Sequence, residues 1–226
     1  MAAIIFDTET TGIKEPEIIE AAWLWLNDLT NTKEITYCTE FISRYKPNKP
    51  ISLGALATHH ILEEELQNCP PSSSFKLPDV VTYLIGHNID YDWEVCGRPD
   101  VKRICTYALS RKLYPDLDSH SQSAMVYYFD RYNAKKRLQN AHSALVDVKN
   151  CALILNNLLL KIDVKNWEQL WQISEWARVP DFMPFGKHKG KPITALPKGY
   201  RNWLLGLDDL DGYLRASILQ SMKNLK

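Results

Sequence analysis

Residues 4–12 read Ile4-Ile5-Phe6-Asp7-Thr8-Glu9-Thr10-Thr11-Gly12, an apolar run that ends in two acids and a glycine. Side chains alternate faces along a β-strand, so Asp7 and Glu9 project from one side and Thr8 from the other. Two carboxylates about 4 Å apart at an effective dielectric near 20 repel by roughly 4 kcal/mol, and a divalent cation, which prefers carboxylate oxygens, would compensate this repulsion. On these nine residues alone, a metal site and an ordinary turn with solvated acids are equally good interpretations.

The composition is that of an ordinary globular protein, with 226 residues, 45% hydrophobic and 24% charged. This length allows one core of about 150 residues and a smaller appendage. The formal net charge is zero, so a polyanionic partner would have to meet local basic patches. The five cysteines form no Cys-x-x-Cys pair, which argues against a disulfide framework or a zinc site. With no apolar run near the roughly 20 residues of a membrane span, we expect a soluble, cytoplasmic protein.

The order of strand and helix signals predicts one mixed sheet. Residues 17–26 and 34–43 are rich in Ile, Trp, Tyr, Thr and Phe and are separated by polar residues 27–33, which indicates two strands joined by a turn. Together with the first strand they form an expected antiparallel meander. Further along, strand signals at 80–85 and 102–106 alternate with helix signals at 52–67, 107–113 and 119–132. We therefore predict an α/β fold, in which an antiparallel meander and parallel strands form a sheet flanked by helices.

Three parts are predicted along the chain: a core domain over 1–160, a connecting helix within 161–183, and a small basic and aromatic C-terminal segment over 184–226. The clearest helix ends the core, since apolar residues from Ala141 to Ile162 follow the 3, 4, 7 spacing of one helical face. The last 43 residues are few for an independent core, so we expect an appendage.

Further candidate residues lie in two other segments. His87-Asn88-Ile89-Asp90-Tyr91-Asp92 follows an apolar run, so Asn88 is a candidate helix cap and Asp92 would lie in the first turns. Asp147 lies at the edge of the apolar stripe of the long helix, where an unpaired carboxylate is costly. His142 precedes Asp147 by five positions and shares a site with it only if it lies in the loop before the helix. Taken one at a time, Asp92 and Asp147 are better explained as solvated acids.

Taken together, these residues resemble the three motifs of the DEDDh, or DnaQ-like, 3′-to-5′ exonucleases. The motifs are Asp-x-Glu-Thr-Thr-Gly from Asp7, His-Asn-x-x-Tyr-Asp from His87 and His-x-x-x-x-Asp from His142. Ile18-Ile19-Glu20-Ala21 is similar to the family's second strand, and residues 57–61 to its short His-x-Ile segment. The loop 13–16, the segment 104–111 and the C-terminal Phe-Gly-Lys block narrow the resemblance to one exodeoxyribonuclease group.

The resemblance implies a ribonuclease-H-like core and a two-metal site. Asp7, Glu9, Asp92 and Asp147 would hold two Mg²⁺ or Mn²⁺ ions, which suit all-oxygen ligands. His142 would be the general base, since an imidazole accepts a proton near neutral pH. The implied reaction releases nucleoside 5′-monophosphates from a 3′ end, in DNA repair or end processing. Asp90 departs from the commonest pattern, and we expect it to be solvated or to support a ligand.

The expected partner is DNA with a 3′ end, single-stranded or from a frayed duplex. An exoribonuclease is the alternative, because the metal motifs do not read the sugar, and a non-catalytic module that binds ends is a third. Ile13 is a candidate wedge under a terminal base pair, and a basic C-terminal segment beside aromatic residues suits a nucleic-acid backbone with base stacking. We expect a monomer or homodimer and no membrane partner. The predicted substrate contacts are Thr10, Gly12, Ile13, Lys14, His59, Asn88, Lys187, Lys189 and Lys191.

Overall fold

The structure is a computed structural model that describes residues 2–29, 34–139 and 141–223. Strands β1 (Ala2–Thr10), β2 (Ile18–Leu26) and β3 (Tyr37–Arg44) form the predicted antiparallel meander. Strands β4 (Val81–Gly86) and β5 (Lys102–Cys105) add parallel pairing on the other side of β1, so the strand order is β3-β2-β1-β4-β5. The predicted mixed sheet is confirmed. The predicted turn over 27–33 lies partly outside the described residues.

The central strand β1 is buried because both of its neighbours and the layer above it are apolar. Ile4, Ile5 and Phe6 are fully buried, and the parallel pairing with β4 sets Ile5 beside Ile85. In the antiparallel pairing with β2, Glu9 lies directly opposite Glu20. Opposite residues of antiparallel strands share a face, so Asp7, Glu9 and Glu20 project toward the same side of the sheet.

The helices lie at positions along the chain close to those predicted. Ser52 caps the first of them by accepting a hydrogen bond from the amide of Ala55 (3.3 Å). Their bounds are α1 (Leu53–His59), α2 (Asp90–Val95), α3 (Thr106–Leu113), α4 (Gln122–Phe129), α5 (Arg131–Arg137), α6 (Ala144–Leu159), α7 (Trp167–Arg178), α8 (Lys198–Leu205) and α9 (Gly212–Lys223). Short 3-10 turns cover Glu63–Leu66, Ser72–Ser74, Gly186–His188 and Ile193–Ala195.

Two helix predictions are corrected. The single helix expected over 119–132 is split into α4 and α5 at Asp130, whose backbone is not helical. The Asp130 carboxylate accepts hydrogen bonds from Asn133 (2.8 Å) and Arg137 (2.7 Å), so it stabilises the start of α5. The second correction concerns Asn88, the predicted cap of α2, because the cap position is Ile89 and Asn88 lies in the preceding turn with φ 71°.

The long helix α6 packs on β1 and β2 through its apolar stripe. Val148, Cys151 and Leu155 are buried along it, as the spacing predicts. The helix begins at Ala144 and not at Ala141, because His142 has φ 66° and Ser143 is extended. Its first turn therefore lies above the sheet face that carries the acids.

The chain forms two compact units, Met1–Ser174 and Glu175–Lys226. The smaller unit has a hydrophobic core of its own. That core consists of Met183, Ile193, Leu196, Leu204, Leu214 and Ile218. The division falls inside the predicted connecting segment 161–183, and the three-part organisation with boundaries after residues 160 and 183 stays a prediction. In the part of the chain that the structure describes, no helix is both long enough and apolar enough to cross a bilayer.

Candidate active site

A cavity of about 250 Å³ opens at the carboxyl end of β1 and beside the loop that follows β4. Open α/β sheets bind ligands at this position, because the carboxyl ends of parallel strands meet at one edge of the sheet. All five predicted motif residues contribute to its walls. The lining consists of Asp7, Thr8, Glu9, His87, Asn88, Tyr91, Asp92, Gln122, His142 and Asp147.

Three of the acids converge closely. One carboxylate oxygen from each of Asp7, Glu9 and Asp147 lies within 4.8 Å of the other two. The strand period puts Asp7 and Glu9 on one face, and α6 adds Asp147 from its first turn. The arrangement fits a cation with oxygen ligands.

Asp92 reaches the same cavity from α2 but lies outside that group of three. Its Oδ1 accepts hydrogen bonds from the amide (2.9 Å) and the hydroxyl (2.7 Å) of Thr8. The end of β4 lies close to β1 and to the start of α2, since a Cβ on Gly86 would lie 3.0 Å from the carbonyl oxygen of Phe6 and 2.7 Å from Cδ1 of Ile89. The glycine therefore permits the approach that brings Asp92 to Thr8.

His142 lies in the loop before α6, the position it needs to share a site with Asp147. Its amide donates to Oδ2 of Asp147 (3.0 Å), and its side chain is exposed. The other histidine of the cavity is engaged, because the ring nitrogens of His87 lie 3.0 Å from Thr106 Oγ1 and 2.8 Å from the carbonyl of His120. Burial lowers the pKa of His87 to about 4, which leaves His142 as the candidate base.

Glu20 is a supporting residue that the motifs did not identify as functional. It is 1% exposed, and its Oε1 accepts hydrogen bonds from the amide of Ala144 (3.0 Å) and the hydroxyl of Ser143 (3.3 Å). Its Oε2 accepts one from Nε of Arg44 (2.8 Å). Glu20 thus caps α6 across a long sequence separation. The sequence signal for this role is a lone acid inside the apolar run of β2.

Tyr91 is a second residue with an unpredicted role. Its hydroxyl donates to the carbonyl of Gly12 (3.1 Å) and lies 2.7 Å from Oγ1 of Thr10. Tyr91 also lines a larger cavity of about 570 Å³, which includes Ile13 and Lys49. The tyrosine therefore connects the acidic cavity with the loop after β1.

The four acids carry raised pKa values because burial and their mutual repulsion disfavour the charged forms. The pKa of Asp7 is raised well above its usual range by burial, then by Asp92 and Asp147. Burial, followed by Asp147, raises the pKa of Glu9 to about 9. Burial is also the main cause for Asp92, at about 7, and Asp147, at about 6. This excess of negative charge in an all-oxygen donor set fits Mg²⁺ or Mn²⁺.

The predicted substrate contacts differ in their accessibility. Ile13, at 90%, and Lys14 are exposed, and Asn88 is exposed at the cavity. Thr10 and His59 are buried, with Nδ1 of His59 accepting from the amide of Ile61 (3.0 Å), so neither presents an open surface.

Gly12 has φ 144°, and a Cβ there would lie 2.7 Å from Ser52 Oγ, so the position requires glycine. Asp90 forms a salt bridge with Arg103 and does not line the acidic cavity. Lys187, Lys189 and Lys191 are exposed in the smaller unit.

Comparisons with known proteins show similarity to exonucleases. The model of the RNase_T family, described as an exonuclease family, matches residues 4–155. Exodeoxyribonuclease 10 of Escherichia coli is 27% identical over 237 residues, which cover 97% of this chain and 98% of that protein.

Solved structures are similar as well. Exonuclease X in complex with 5′-overhanging duplex DNA has a TM-score of 0.61 and 26% identity, covering 76% of this chain and 99% of that one. Escherichia coli exonuclease I, in a zinc-bound complex with single-stranded DNA, has a TM-score of 0.56 at 15% identity, covering 80% of this chain and 43% of that one. The second similarity concerns the fold alone.

Proposed function

Because this chain belongs to the exonuclease family, as its motifs predicted, we propose that it is a metal-dependent 3′-to-5′ exodeoxyribonuclease that releases nucleoside 5′-monophosphates from DNA 3′ ends, in repair or end processing. One observation carries the proposal: the five motif residues, which are far apart in sequence, line one cavity. Similarity to exodeoxyribonuclease 10 and to exonuclease X bound to duplex DNA supports DNA as the substrate.

Asp7, Glu9 and Asp147 would hold the metal, with Asp92 as a fourth ligand. The close approach of three oxygens supports the first three assignments, and the shared cavity supports the fourth. Two divalent ions held by these residues would supply stabilisation for the negative charge that develops during phosphodiester hydrolysis. Four acids supply the charge that two such ions require.

His142 would accept the proton of the attacking water at a ring nitrogen. The hydrogen bond from its amide to Asp147 supports this role, because it holds His142 beside a residue that would bind the metal. The side chain of His142 is exposed and so accessible to a substrate. Glu20 supports both residues, because it caps the helix whose first turn carries Asp147. In this proposal, His142 is the base and is held next to the acids by these contacts.

The loop after β1 would contact the terminal nucleotides. Ile13 is exposed beside a cavity that shares Tyr91 with the acidic cavity, so an apolar wedge there is within reach of a duplex end. Lys14 and Asn88 are exposed and available to phosphates. Thr10 and Gly12 would act indirectly, through their contacts with Tyr91. His59 would support the neighbouring strand end and not contact the substrate.

The proposal is tested by incubating labelled DNA and RNA oligomers with the protein in Mg²⁺ or in EDTA. We expect mononucleotides from the 3′ end of DNA in Mg²⁺ only, and none from Asp7→Ala. The variant Glu64→Ala, which removes an exposed acid elsewhere on the chain, serves as the control and should retain activity. Absence of mononucleotide release in Mg²⁺, or an active Asp7→Ala variant, would contradict the proposal, and faster cleavage of RNA would favour an exoribonuclease.

A further inference from the structure

We propose that an exposed basic and aromatic surface of the unit Glu175–Lys226 binds single-stranded nucleic acid and raises the affinity of the whole protein for long substrates. The inference rests on the proposed function, since it adds a second contact for the same substrate. The basic–aromatic surface is defined by Phe185, Lys187, Lys189, Lys191, Tyr200 and Trp203.

The first observation is a local excess of positive charge. The whole chain has 27 basic and 27 acidic residues, yet residues 182–207 contain no Asp or Glu. Lys187, Lys189, Lys191 and Lys198 are exposed within that stretch. Arg201 lies in the same stretch but does not belong to the surface, because it is 6% exposed and donates to Ser221 Oγ (3.1 Å). The lysines therefore form a local patch that suits a polyanion in a chain with no net charge.

Next to these lysines, a tight turn holds the backbone in place. The amide of Lys189 donates to the carbonyl of Gly186 (3.0 Å), and the amide of Lys191 donates to the carbonyl of His188 (3.0 Å). The carbonyl of Lys191 in turn accepts a hydrogen bond from the amide of Met183 (2.8 Å). Met183 is buried in the core of this unit, so the turn is anchored. The three lysines thus project from a rigid support, which lowers the entropy lost on binding.

Aromatic rings adjoin the turn, with Phe185 and Trp203 exposed and Tyr200 half-buried against the core of this unit. Tyr200 lies 4.5 Å from the His188 ring and 5.4 Å from the Trp203 ring, the latter pair being stacked at 30°. The ammonium of Lys187 lies 5.4 Å from the centre of the Tyr200 ring. Phe185 is 47% and Trp203 56% exposed, so both rings are accessible for stacking on a base.

The combination favours nucleic acid over an acidic peptide. Lysines beside exposed aromatic faces are how proteins bind single strands without sequence preference, since the cations follow the phosphates and the rings stack on bases. An acidic peptide would satisfy the lysines and leave the rings without planar partners. Stacking also requires unpaired bases, so we assign the surface to single strands.

The test measures binding and catalysis separately on the full chain. Fluorescence anisotropy with a labelled long oligothymidylate in EDTA, over a range of NaCl concentrations, reports binding without hydrolysis. Substituting Lys187, Lys189 and Lys191 together by Ala should weaken binding about tenfold. It should also reduce the magnitude of the slope of log K against log salt by about 2, because each lost phosphate contact on a single strand contributes roughly 0.7 to that slope. Trp203→Ala should weaken binding about tenfold through lost stacking and leave the slope unchanged.

A matched control removes the same charge elsewhere, by Ala substitution of the exposed residues Lys46, Lys76 and Lys165, and should bind as the wild type does. Hydrolysis of the p-nitrophenyl ester of thymidine 5′-monophosphate in Mg²⁺ reports the catalytic site alone and should be equal in the wild type and in this matched control variant.

Two outcomes would overturn the inference. The first is that the triple-lysine variant and Trp203→Ala both bind the oligonucleotide as the wild type does. The second is that, in the same assay with a labelled polyglutamate as the acidic-peptide probe, the variants lose polyglutamate binding but keep oligonucleotide binding. Failure of the wild type to hydrolyse the ester would contradict the proposed function, while the anisotropy result would still decide the surface.

Discussion

Replacing Glu9 by Gln should stabilise the metal-free protein at neutral and alkaline pH while it abolishes activity. Burial and the neighbouring acids raise the pKa of Glu9 from 4.5 to about 9. The folded protein therefore holds a proton that the unfolded chain releases. The contribution of this protonation to the free energy of unfolding is therefore complete below about pH 4.5, the ordinary pKa of the group, and is lost as the pH rises toward 9.

The magnitude follows from the pKa difference. One pKa unit corresponds to about 1.4 kcal/mol, and pH 7 lies about 2.5 units above the ordinary pKa of 4.5. If Glu9 titrated independently, keeping it protonated in the folded protein at pH 7 would therefore lower the free energy of unfolding by about 3 kcal/mol. Because the neighbouring acids share their protons, we expect about 2 kcal/mol for Glu9 alone. In a chain of this size that free energy corresponds to a Tm increase of about 4 to 8 °C for Glu9→Gln.

Differential scanning calorimetry in EDTA, from about pH 5 to about pH 8, measures this effect. The Tm of the wild type should fall with rising pH, and Glu9→Gln should flatten that dependence. Glu64→Gln makes the same chemical change at an exposed position and should follow the wild type. Mg²⁺ should raise the Tm of the wild type more than that of Glu9→Gln, because the variant lacks one ligand. A pH-independent wild-type Tm, or a lower Tm for Glu9→Gln at about pH 8, would refute the reasoning.

Three further predictions concern the residues around the acids. His142→Ala should lower kcat about a hundredfold or more, the usual contribution of a general base, with an unchanged Tm because the ring is exposed; a retained kcat in single-turnover assays would exclude the role. Glu20→Ala should lower the free energy of unfolding by about 1 to 2 kcal/mol through the lost cap, and Glu20→Gln, which keeps an acceptor oxygen, should recover most of it; equal thermal denaturation of the two variants would argue against capping. Ile13→Gly should slow digestion of blunt duplexes and spare single strands, and equal effects on both substrates would exclude the wedge.

Local patterns were sufficient for most of the fold. Alternation along residues 4–10 correctly placed Asp7 and Glu9 on one face, because the side-chain period of a strand does not depend on its surroundings. The apolar spacing of α6 was equally informative. The predicted single helix over 119–132 was wrong, because Asp130 stabilises the start of a new helix through its contacts with Asn133 and Arg137.

The motifs identified which residues to examine, whereas their supporting contacts required the tertiary structure. Glu20 and Ala144 are 124 positions apart and joined by a hydrogen bond, and Thr8 holds Asp92 across 84 positions. Neither pairing has a sequence period, since each depends on how a helix packs against the sheet. The burial of His59 and Arg201 has the same origin. The sequence by itself determined the strand, its two acids and the chemistry they suit, and packing alone decided which distant side chains hold them in place.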